Sequence, residues 1–474
     1  MHEPTPFPVL SRRRFCQIGA VSIVGGQLAP LVGPLKATSE RSASPRGGAE
    51  CVIVVNLVGG PSQMDTFDVK EYDTTPADLD VRATKIPELR WPYGLLPRTA
   101  ETLDDVAIVR SMAAWDTFHN LAQYYMQVGH PFNAARAKEL PSIGSVIAYE
   151  YTSKIRETDF LPPFISMNFP AGAVNGTLIR EGFLPSSSAP LTLDFRKGGN
   201  MPFALEEEYR PRFNRRMDFL KTFDTSRRME GAVPKLFSEW SYFADSAEKM
   251  IRSPKMAEIL KLDEGDRQRY GGTPMGDACL IARNMVAAEA GARYIMVNQG
   301  GWDHHGEIYG KQDSQMEDPR MRGGLYSNCA EMDPALASLI ADLKKTSAAD
   351  DRPLLDKTLV MALGEFGRTP GGLTDIKGRD HWPQVRCGLF AGAGVRGGRV
   401  IGATDDTGGA ITRFDFHLKR PIYPEDVTAT IYSALGIDWT KKLAGTPSGR
   451  EFQYVEPMSG TDFIGSTEIR ELFS

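Results

Sequence analysis

Two stretches in the middle of the sequence contain residue types that bind metal ions. Residues 300–305 read GGWDHH, and residues 364–370 read GEFGRTP, with GRDHW following at 378–382. Only seven histidines occur in 474 residues, and three of them lie in these stretches. Carboxylates combined with imidazoles are typical ligands of divalent cations. The sequence therefore predicts a site for a divalent metal ion, with zinc, manganese or calcium as candidates.

The sharpest candidates are Asp303 and His305. In an extended segment side chains alternate between two sides, so Asp303 and His305 should project together while His304 points away. One carboxylate and one imidazole that converge on a loop can bind a metal ion. The alternative is an ordinary hydrogen-bonded Asp–His pair.

The second stretch adds further candidates. Glu365 is flanked by glycines, which allow the backbone to approach a ligand closely. Arg368 could bind a phosphate or sulfate oxyanion with two N–H groups, or it could form a structural ion pair with Glu365. Asp380 and His381 lie on a glycine-flanked loop and offer more metal ligands.

A third group of candidates surrounds His119, at the start of a helix predicted over residues 119–128 and capped by Asp116 or Thr117. The N-terminus of a helix stabilises negative charge. Thr117 or Ser111 could therefore supply a nucleophilic hydroxyl near an anion. The simpler alternatives are a helix-capping role for Thr117 and a local hydrogen bond for His119.

The elements that must position these residues are apolar runs and amphipathic helices. Residues 294–297 and 358–363 are apolar runs that end just before the two stretches, and residues 50–58 form another. In α/β sheets ligands bind beyond the carboxyl ends of such strands. Amphipathic helices predicted over 275–290 and 332–345 connect the runs, which favours parallel strands and right-handed crossovers.

The composition describes a globular protein. Hydrophobic residues make up 41%, charged residues 24%, and the net charge is −5, so the basic surface of a nucleic-acid-binding protein is missing. The sequence predicts a long surface excursion over residues 72–98 and a helical insertion over residues 203–272. Cys51 and Cys387 lie in apolar runs and are predicted to be buried thiols.

The N-terminal residues predict export. Residues 11–16 read SRRRFC and precede a weakly apolar run at 17–35 that glycines and prolines interrupt. This pattern is typical of a twin-arginine signal peptide, with a basic tail before a membrane anchor as the alternative. We predict a signal peptide over residues 1–37, a linker over 38–49 and one domain over 50–474. The protein would use the twin-arginine export machinery and be periplasmic or secreted.

Together these motifs resemble a sulfatase-like family of exported bacterial proteins, domain of unknown function 1501. The matching pieces are the twin-arginine signal, residues 59–62, 65–68, 110–112, His119, 300–305, 364–370 and 378–382. The resemblance implies the alkaline phosphatase-like superfamily, whose fold is a three-layer α/β sandwich with a mainly parallel central sheet. Its active members use one or two metal ions and a Ser, Thr or formylglycine nucleophile on phosphate or sulfate esters.

The resemblance implies roles for some residues and leaves others open. Asp303 and His305 are similar to the spaced ligands of the superfamily, His381 to its final histidine ligand, and Glu365 stands where an Asp-His pair is usual. The first strand lacks the usual terminal aspartate, which leaves Ser62 or Asp65 as substitutes. No Cys-x-Pro-x-Arg or Cys-x-Ala-x-Arg signature occurs, which argues against formylglycine. One metal ion is therefore better supported than two.

The sequence thus predicts an exported, metal-dependent hydrolase of a phosphate or sulfate ester, acting on a small-molecule or glycan substrate. The alternative is a catalytically degenerate protein of the same fold that binds carbohydrate or a protein partner at the cell envelope. The sequence makes no prediction about the oligomeric state.

Overall fold

The structure, a computed structural model, describes residues 43–168, 173–174, 177–196, 207–229, 243, 245–310, 324–456 and 465–474. The predicted signal peptide (1–37) and the first five residues of the linker lie outside these ranges. Parts of the predicted insertion over 203–272 also lie outside them. These domain boundaries stay predictions.

Eight strands form the central sheet of the described chain. In chain order they are β1 Cys51–Leu57, β2 Val106–Met112, β3 Phe164–Met167, β4 Leu191–Leu193, β5 Tyr294–Gln299, β6 Thr358–Leu363, β7 Arg386–Ala391 and β8 Arg399–Ile401. Their order across the sheet is β8-β2-β7-β6-β1-β5-β3-β4. The three apolar runs predicted as strands are therefore β1, β5 and β6, and they lie side by side.

The first strand lies inside the sheet, and all seven of its residues are buried. It runs parallel to β6 on one side and to β5 on the other, with Val55 opposite both Ala362 and Val297. Strand β7 is antiparallel to both of its neighbours, and the other pairings are parallel. The predicted α/β class with a mainly parallel sheet is confirmed.

Helices cover both faces of the sheet. They include α1 Pro97–Ala100, α2 His119–Val128, α3 Ile143–Tyr151, α4 Arg210–Met229, α5 Pro254–Ile259, α6 Glu264–Arg269, α7 Pro274–Ala287, α8 Leu325–Lys345 and α9 Pro424–Ala434. Side chains alternate along a strand, so Ile53 and Val55 pack with α7 and α8. Val52 and Val54 pack on the opposite face with α2, α3 and α9. The result is the predicted three-layer sandwich.

Helix α2 begins and ends where the sequence predicts, but its cap differs. Gly129 ends the helix with a φ of +73°, a conformation that glycine adopts without strain. Phe118, rather than Asp116 or Thr117, occupies the N-cap position. The carboxylate of Asp116 instead accepts a hydrogen bond from the backbone N–H of Phe118 at 2.9 Å.

The prediction of a surface excursion over residues 72–98 is wrong. Leu79, Trp91 and Leu96 in this segment are fully buried and join the core on the α7 and α8 side of the sheet. The segment contributes core side chains at irregular spacing, so it shows neither the helical nor the strand periodicity by which buried faces are recognised.

Residues of the predicted helical insertion contribute to the same core. Met256 and Ile259 of α5 are buried there.

Within the described ranges, no helix combines the length and the apolar character that a membrane-spanning segment requires. Cys51 and Cys387 are buried and free, as predicted, and burial raises the pKa of Cys51 to about 12.

The close approach between the ends of β1 and β6 generates a test of the fold. A Cβ added to Gly364 would lie 2.3 Å from Cδ of Pro61 and 2.9 Å from the carbonyl oxygen of Leu57. Gly364→Ala should therefore lower the free energy of unfolding by about 1–3 kcal/mol, measured by urea unfolding. Gly372→Ala is the matched control, because nothing lies within 4 Å of its added Cβ. Equal unfolding midpoints for both variants would contradict the observed contact.

Candidate metal centre

The site lies where the carboxyl ends of β5 and β6 meet the start of α2. Residues 300–305 follow β5, and residues 364–370 follow β6. A short antiparallel pairing places Arg368 opposite His381 and so returns the chain to the same edge. His119, the first residue of α2, packs its ring against His381 with ring centroids 4.3 Å apart.

Four side chains converge there: His119, Asp303, His305 and His381. One potential ligand atom from each lies within 4.8 Å of the others. Oδ1 of Asp303 is 3.0 Å from Nε2 of His119, 3.0 Å from Nε2 of His305 and 3.4 Å from Nε2 of His381. The sequence predicted three of these as ligands, whereas it placed His119 among the catalytic candidates.

The other ring nitrogen of each histidine is held by an oxygen. Nδ1 of His119 is 2.7 Å from the Glu365 carboxylate, and Nδ1 of His305 is 3.0 Å from the Asp380 carboxylate. Nδ1 of His381 is 2.5 Å from the backbone carbonyl oxygen of Thr117. An ionised carboxylate and a backbone carbonyl accept hydrogen bonds but cannot donate them. Nδ1 of each ring therefore carries a proton. In a neutral ring Nε2 then presents its lone pair to the cluster, as in metal-binding histidines.

The arrangement fits a divalent cation. Nε2 of His305 and Nε2 of His381 are only 2.9 Å apart, and two facing lone pairs repel unless a cation or a proton lies between them. Nε2 of His119 is buried and faces Oδ1 of Asp303 at 3.0 Å. Zinc bonds to nitrogen and oxygen are about 2.0–2.2 Å long, which separates tetrahedral ligand atoms by about 3.3–3.6 Å. The three distances from Oδ1 of Asp303 and the distance between Nε2 of His305 and Nε2 of His381 are 2.9 to 3.4 Å, which is close to that spacing. All four ligand atoms lie within 4.8 Å of one another.

Glu365 supports a ligand instead of joining the four converging atoms. Its side chain is fully buried. Its carboxylate accepts hydrogen bonds from the backbone N–H of Gly59 at 2.9 Å and from Nε2 of Gln123 at 2.8 Å, in addition to its contact with His119. Gln123 could not be predicted from the sequence, because an amide on the buried face of a helix has no distinguishing pattern.

Arg368 is directed inward. Its guanidinium is buried and donates to Oδ1 of Asp303 at 2.6 Å, to the carbonyl oxygen of Gly60 at 3.0 Å and to that of Arg379 at 3.0 Å. It also donates to the carbonyl oxygen of Gly59. All three guanidinium nitrogens thus have acceptors within the protein, and the side chain fixes Asp303 rather than facing outward toward an oxyanion.

Asp65 lies in a separate buried network. Its carboxylate is 2.9 Å from Nε of Arg379, and it accepts hydrogen bonds from Tyr309 at 2.6 Å and from Ser62 at 2.5 Å. Both charged side chains of the Asp65–Arg379 pair are fully buried. Asp65 and Ser62, the two substitutes considered for the missing strand-end ligand, are therefore bonded to each other and not part of the four-residue cluster.

The two hydroxyl candidates differ in their surroundings. Thr117 is exposed, and its carbonyl contact with His381 places it beside the cluster. Ser111 is buried on β2, and a Cβ added to Gly402 would lie 2.3 Å from its hydroxyl oxygen. Of the two, Thr117 lies next to the converging side chains.

Burial and neighbouring charges shift the pKa values of residues in and beside the cluster. Burial alone would raise the pKa of Asp303, but its contacts with His119 and Arg368 hold that pKa well below its usual range. Burial lowers the pKa of His119, yet the nearby carboxylates of Asp303 and Glu365 outweigh it and raise the pKa to about 9. His304 points away as predicted, and burial lowers its pKa to about 4.

This fold and this cluster define an α/β protein with a candidate mononuclear metal centre at the strand ends. The chain belongs to the family described as "Protein of unknown function (DUF1501)", which matches residues 49–462. The predicted family is therefore confirmed. No curated protein matches the sequence.

Solved structures match the chain at low identity. A protein in the alkaline phosphatase superfamily from Vibrio parahaemolyticus is 13% identical, with 85% of this chain and 72% of that chain covered and a TM-score of 0.34. A phosphonate monoester hydrolase from Silicibacter pomeroyi is 11% identical, covering 82% and 73%, with a TM-score of 0.37. A sulfatase from Pseudoalteromonas is 11% identical, covering 85% and 74%, with a TM-score of 0.34. Similarity at this level supports no conclusion about what this chain binds.

The contact between Glu365 and His119 predicts an effect on metal affinity. Glu365→Gln would remove the charge that holds Nδ1–H of His119 and would place an amide N–H₂ against donors. Metal affinity should fall about 10–100-fold, measured by competition with a chromogenic chelator. Glu258→Gln, on the exposed surface of α5, is the matched control. An unchanged Kd in a folded Glu365→Gln protein would exclude a supporting role for Glu365.

Proposed function

We propose that the protein is an exported hydrolase of phosphate or sulfate esters that works with one divalent metal ion. The observation that supports this most directly is the convergence of three histidine Nε2 atoms on Oδ1 of Asp303, with each Nδ1 held by an oxygen. Such a site brings four ligand atoms together before an ion binds. Side chains of His305 and Asp303 remain 40% and 44% exposed, so a ligand from solvent can reach the cluster.

The donor set favours particular ions. Calcium takes six to eight oxygen ligands, whereas three imidazole nitrogens and one carboxylate suit zinc. We therefore place zinc ahead of manganese and calcium. The other carboxylates predicted as metal ligands are already committed: Asp65 is paired with Arg379, Glu365 is bonded to His119, and Asp380 is bonded to His305. This leaves ligands for one ion.

The residues of this chain have separable roles in the proposed reaction. His119, His305, His381 and Asp303 would hold the ion, which would neutralise charge that builds on the ester oxygens. Glu365, Asp380 and the Thr117 carbonyl fix the three rings in one tautomer. In the overall reaction water adds across the P–O or S–O bond of the ester, so that this bond breaks, the alcohol gains a proton and phosphate or sulfate is released. Thr117, which is exposed and whose carbonyl oxygen contacts His381, would supply the nucleophilic hydroxyl in an intermediate step.

Export completes the proposal and rests on residues 11–16. The paired arginines and the weakly apolar run that follows support passage through the twin-arginine machinery to the periplasm or beyond. The cellular location of an Arg12→Lys/Arg13→Lys variant tests this part, because loss of the pair should retain the protein in the cytoplasm.

A second function is a binding protein without catalysis, for carbohydrate or a protein partner at the cell envelope. The end of β1 favours it. The position where the resemblance implies a ligand aspartate is glycine, and Gly59 there donates its N–H to Glu365. A hydrolysis assay separates the two functions.

The purified protein, loaded with zinc, should hydrolyse a nitrophenyl phosphate or a nitrophenyl sulfate. His305→Ala/His381→Ala should lose bound metal and fall to the background rate, because two of the four ligands are gone. His417→Ala is the matched control, since its ring contacts Glu471 outside the cluster. Product release is read by absorbance and metal content by elemental analysis.

Two results would contradict the hydrolase. Turnover that persists in the double variant would place the chemistry elsewhere. Bound metal in the parent protein without turnover of either ester, with zinc, manganese or calcium, would favour the binding protein.

A further inference from the structure

We propose that Asp65 is a positioning residue of the metal centre: it sets the distance between His305 and His381, although its own oxygens are bonded elsewhere. Each of the two histidines lies on its own loop, and the carboxylate of Asp65 is bonded to both loops. This inference rests on the metal ion of the proposed function. It assigns a role to the buried Asp65–Arg379 pair, which lies outside the four-residue cluster.

The two carboxylate oxygens of Asp65 have partners on different loops. Oδ1 accepts a hydrogen bond from the hydroxyl of Tyr309 at 2.6 Å, and Tyr309 lies four residues after His305. Oδ2 accepts a hydrogen bond from Nε of Arg379 at 2.9 Å, and Arg379 lies two residues before His381. One carboxylate therefore links the loop that carries His305 to the loop that carries His381.

Arg379 is held at several points besides Asp65. Its side chain is fully buried, and its Nη1 donates to the carbonyl oxygen of Gly371 at 2.7 Å. Its backbone N–H donates to the carbonyl oxygen of His304 at 2.9 Å, and its own carbonyl oxygen accepts from Arg368 at 3.0 Å. Because His381 follows two residues later, these contacts also limit where His381 can lie.

Backbone hydrogen bonds join the same two loops, but at the surface. The N–H of Glu307 donates to the carbonyl oxygen of Ile376 at 2.9 Å, and both residues are exposed. Asp65 and Arg379 join the loops in the interior, where both side chains are 0% exposed. Hydrogen bonds there are stronger, because the local dielectric is low and water does not compete for them. The interior link is therefore the one that fixes the loops.

A fully buried ion pair contributes little to stability by itself. Moving two charges out of water costs free energy that their attraction only partly offsets, so apolar residues of similar volume are often as stabilising. The geometry that the Asp65–Arg379 pair imposes explains it better, because directional bonds to two oxygens hold two loops at one spacing. That spacing places Nε2 of His305 2.9 Å from Nε2 of His381.

Zinc affinity in two variants tests the assignment. Asp65→Asn keeps the shape of the side chain, but its amide N–H₂ would face a donor, so one of the two links is lost. It should bind zinc about tenfold more weakly, measured by competition with a chromogenic chelator. Tyr309→Phe removes only a hydroxyl and should weaken zinc binding about threefold. Tyr309→Phe decides the question if Asp65→Asn does not fold.

Asp426→Asn is the matched control, because Asp426 is also fully buried and is paired with Arg420. Both Asn variants should lower the unfolding midpoint, and only Asp65→Asn should raise the Kd for zinc. A lower midpoint with an unchanged Kd in Asp65→Asn would show a merely structural pair and overturn the inference, leaving the proposed function intact. Equal weakening of zinc binding by Asp426→Asn would overturn it too. A parent protein that binds no zinc would overturn both.

Discussion

Oδ1 of Asp303 connects, directly or through Arg368, the segments that follow the three strands β1, β5 and β6. The buried guanidinium of Arg368 donates to it, and three imidazole nitrogens lie within 3.4 Å of it. The same guanidinium donates to the carbonyl oxygens of Gly59 and Gly60, at the end of the central strand. A Cβ on Gly59 would lie 2.5 Å from the backbone nitrogen of Asp303. The geometry of the centre therefore depends on the close approach of two backbones.

Residues at strand ends could be predicted from the sequence because the rules that place them are local. An apolar run followed by glycines and polar side chains identifies the carboxyl end of a buried strand, and the alternation of side chains pairs Asp303 with His305. His381 is predicted instead from its place on a glycine-flanked loop and from the family resemblance. Glu365 is predicted as a metal ligand or as an ion-pair partner of Arg368. Its carboxylate contacts His119 instead, because this contact exists only when α2 packs against the end of β6.

Packing also decides which charged groups face a ligand. A buried charge is stable only when it is paired or hydrogen-bonded. Arg368 meets that requirement through backbone carbonyl oxygens and Asp303, and Asp65 through Arg379. Their residue types alone allowed an oxyanion clamp and a metal ligand. The core residues among 72–98 were missed for a related reason, since Leu79 and Trp91 are buried by tertiary contacts without any periodic pattern.

X-ray absorption spectroscopy at the zinc edge tests the central claim most directly, because it reads the ligands of the ion without requiring a substrate. The zinc-loaded protein should show a first shell of nitrogen and oxygen at about 2.0–2.1 Å and the outer-shell scattering of three imidazole rings. The His305→Ala/His381→Ala variant should lose that scattering along with the metal. A zinc ion without imidazole scattering, or one bound by sulfur, would contradict a centre built from His119, Asp303, His305 and His381.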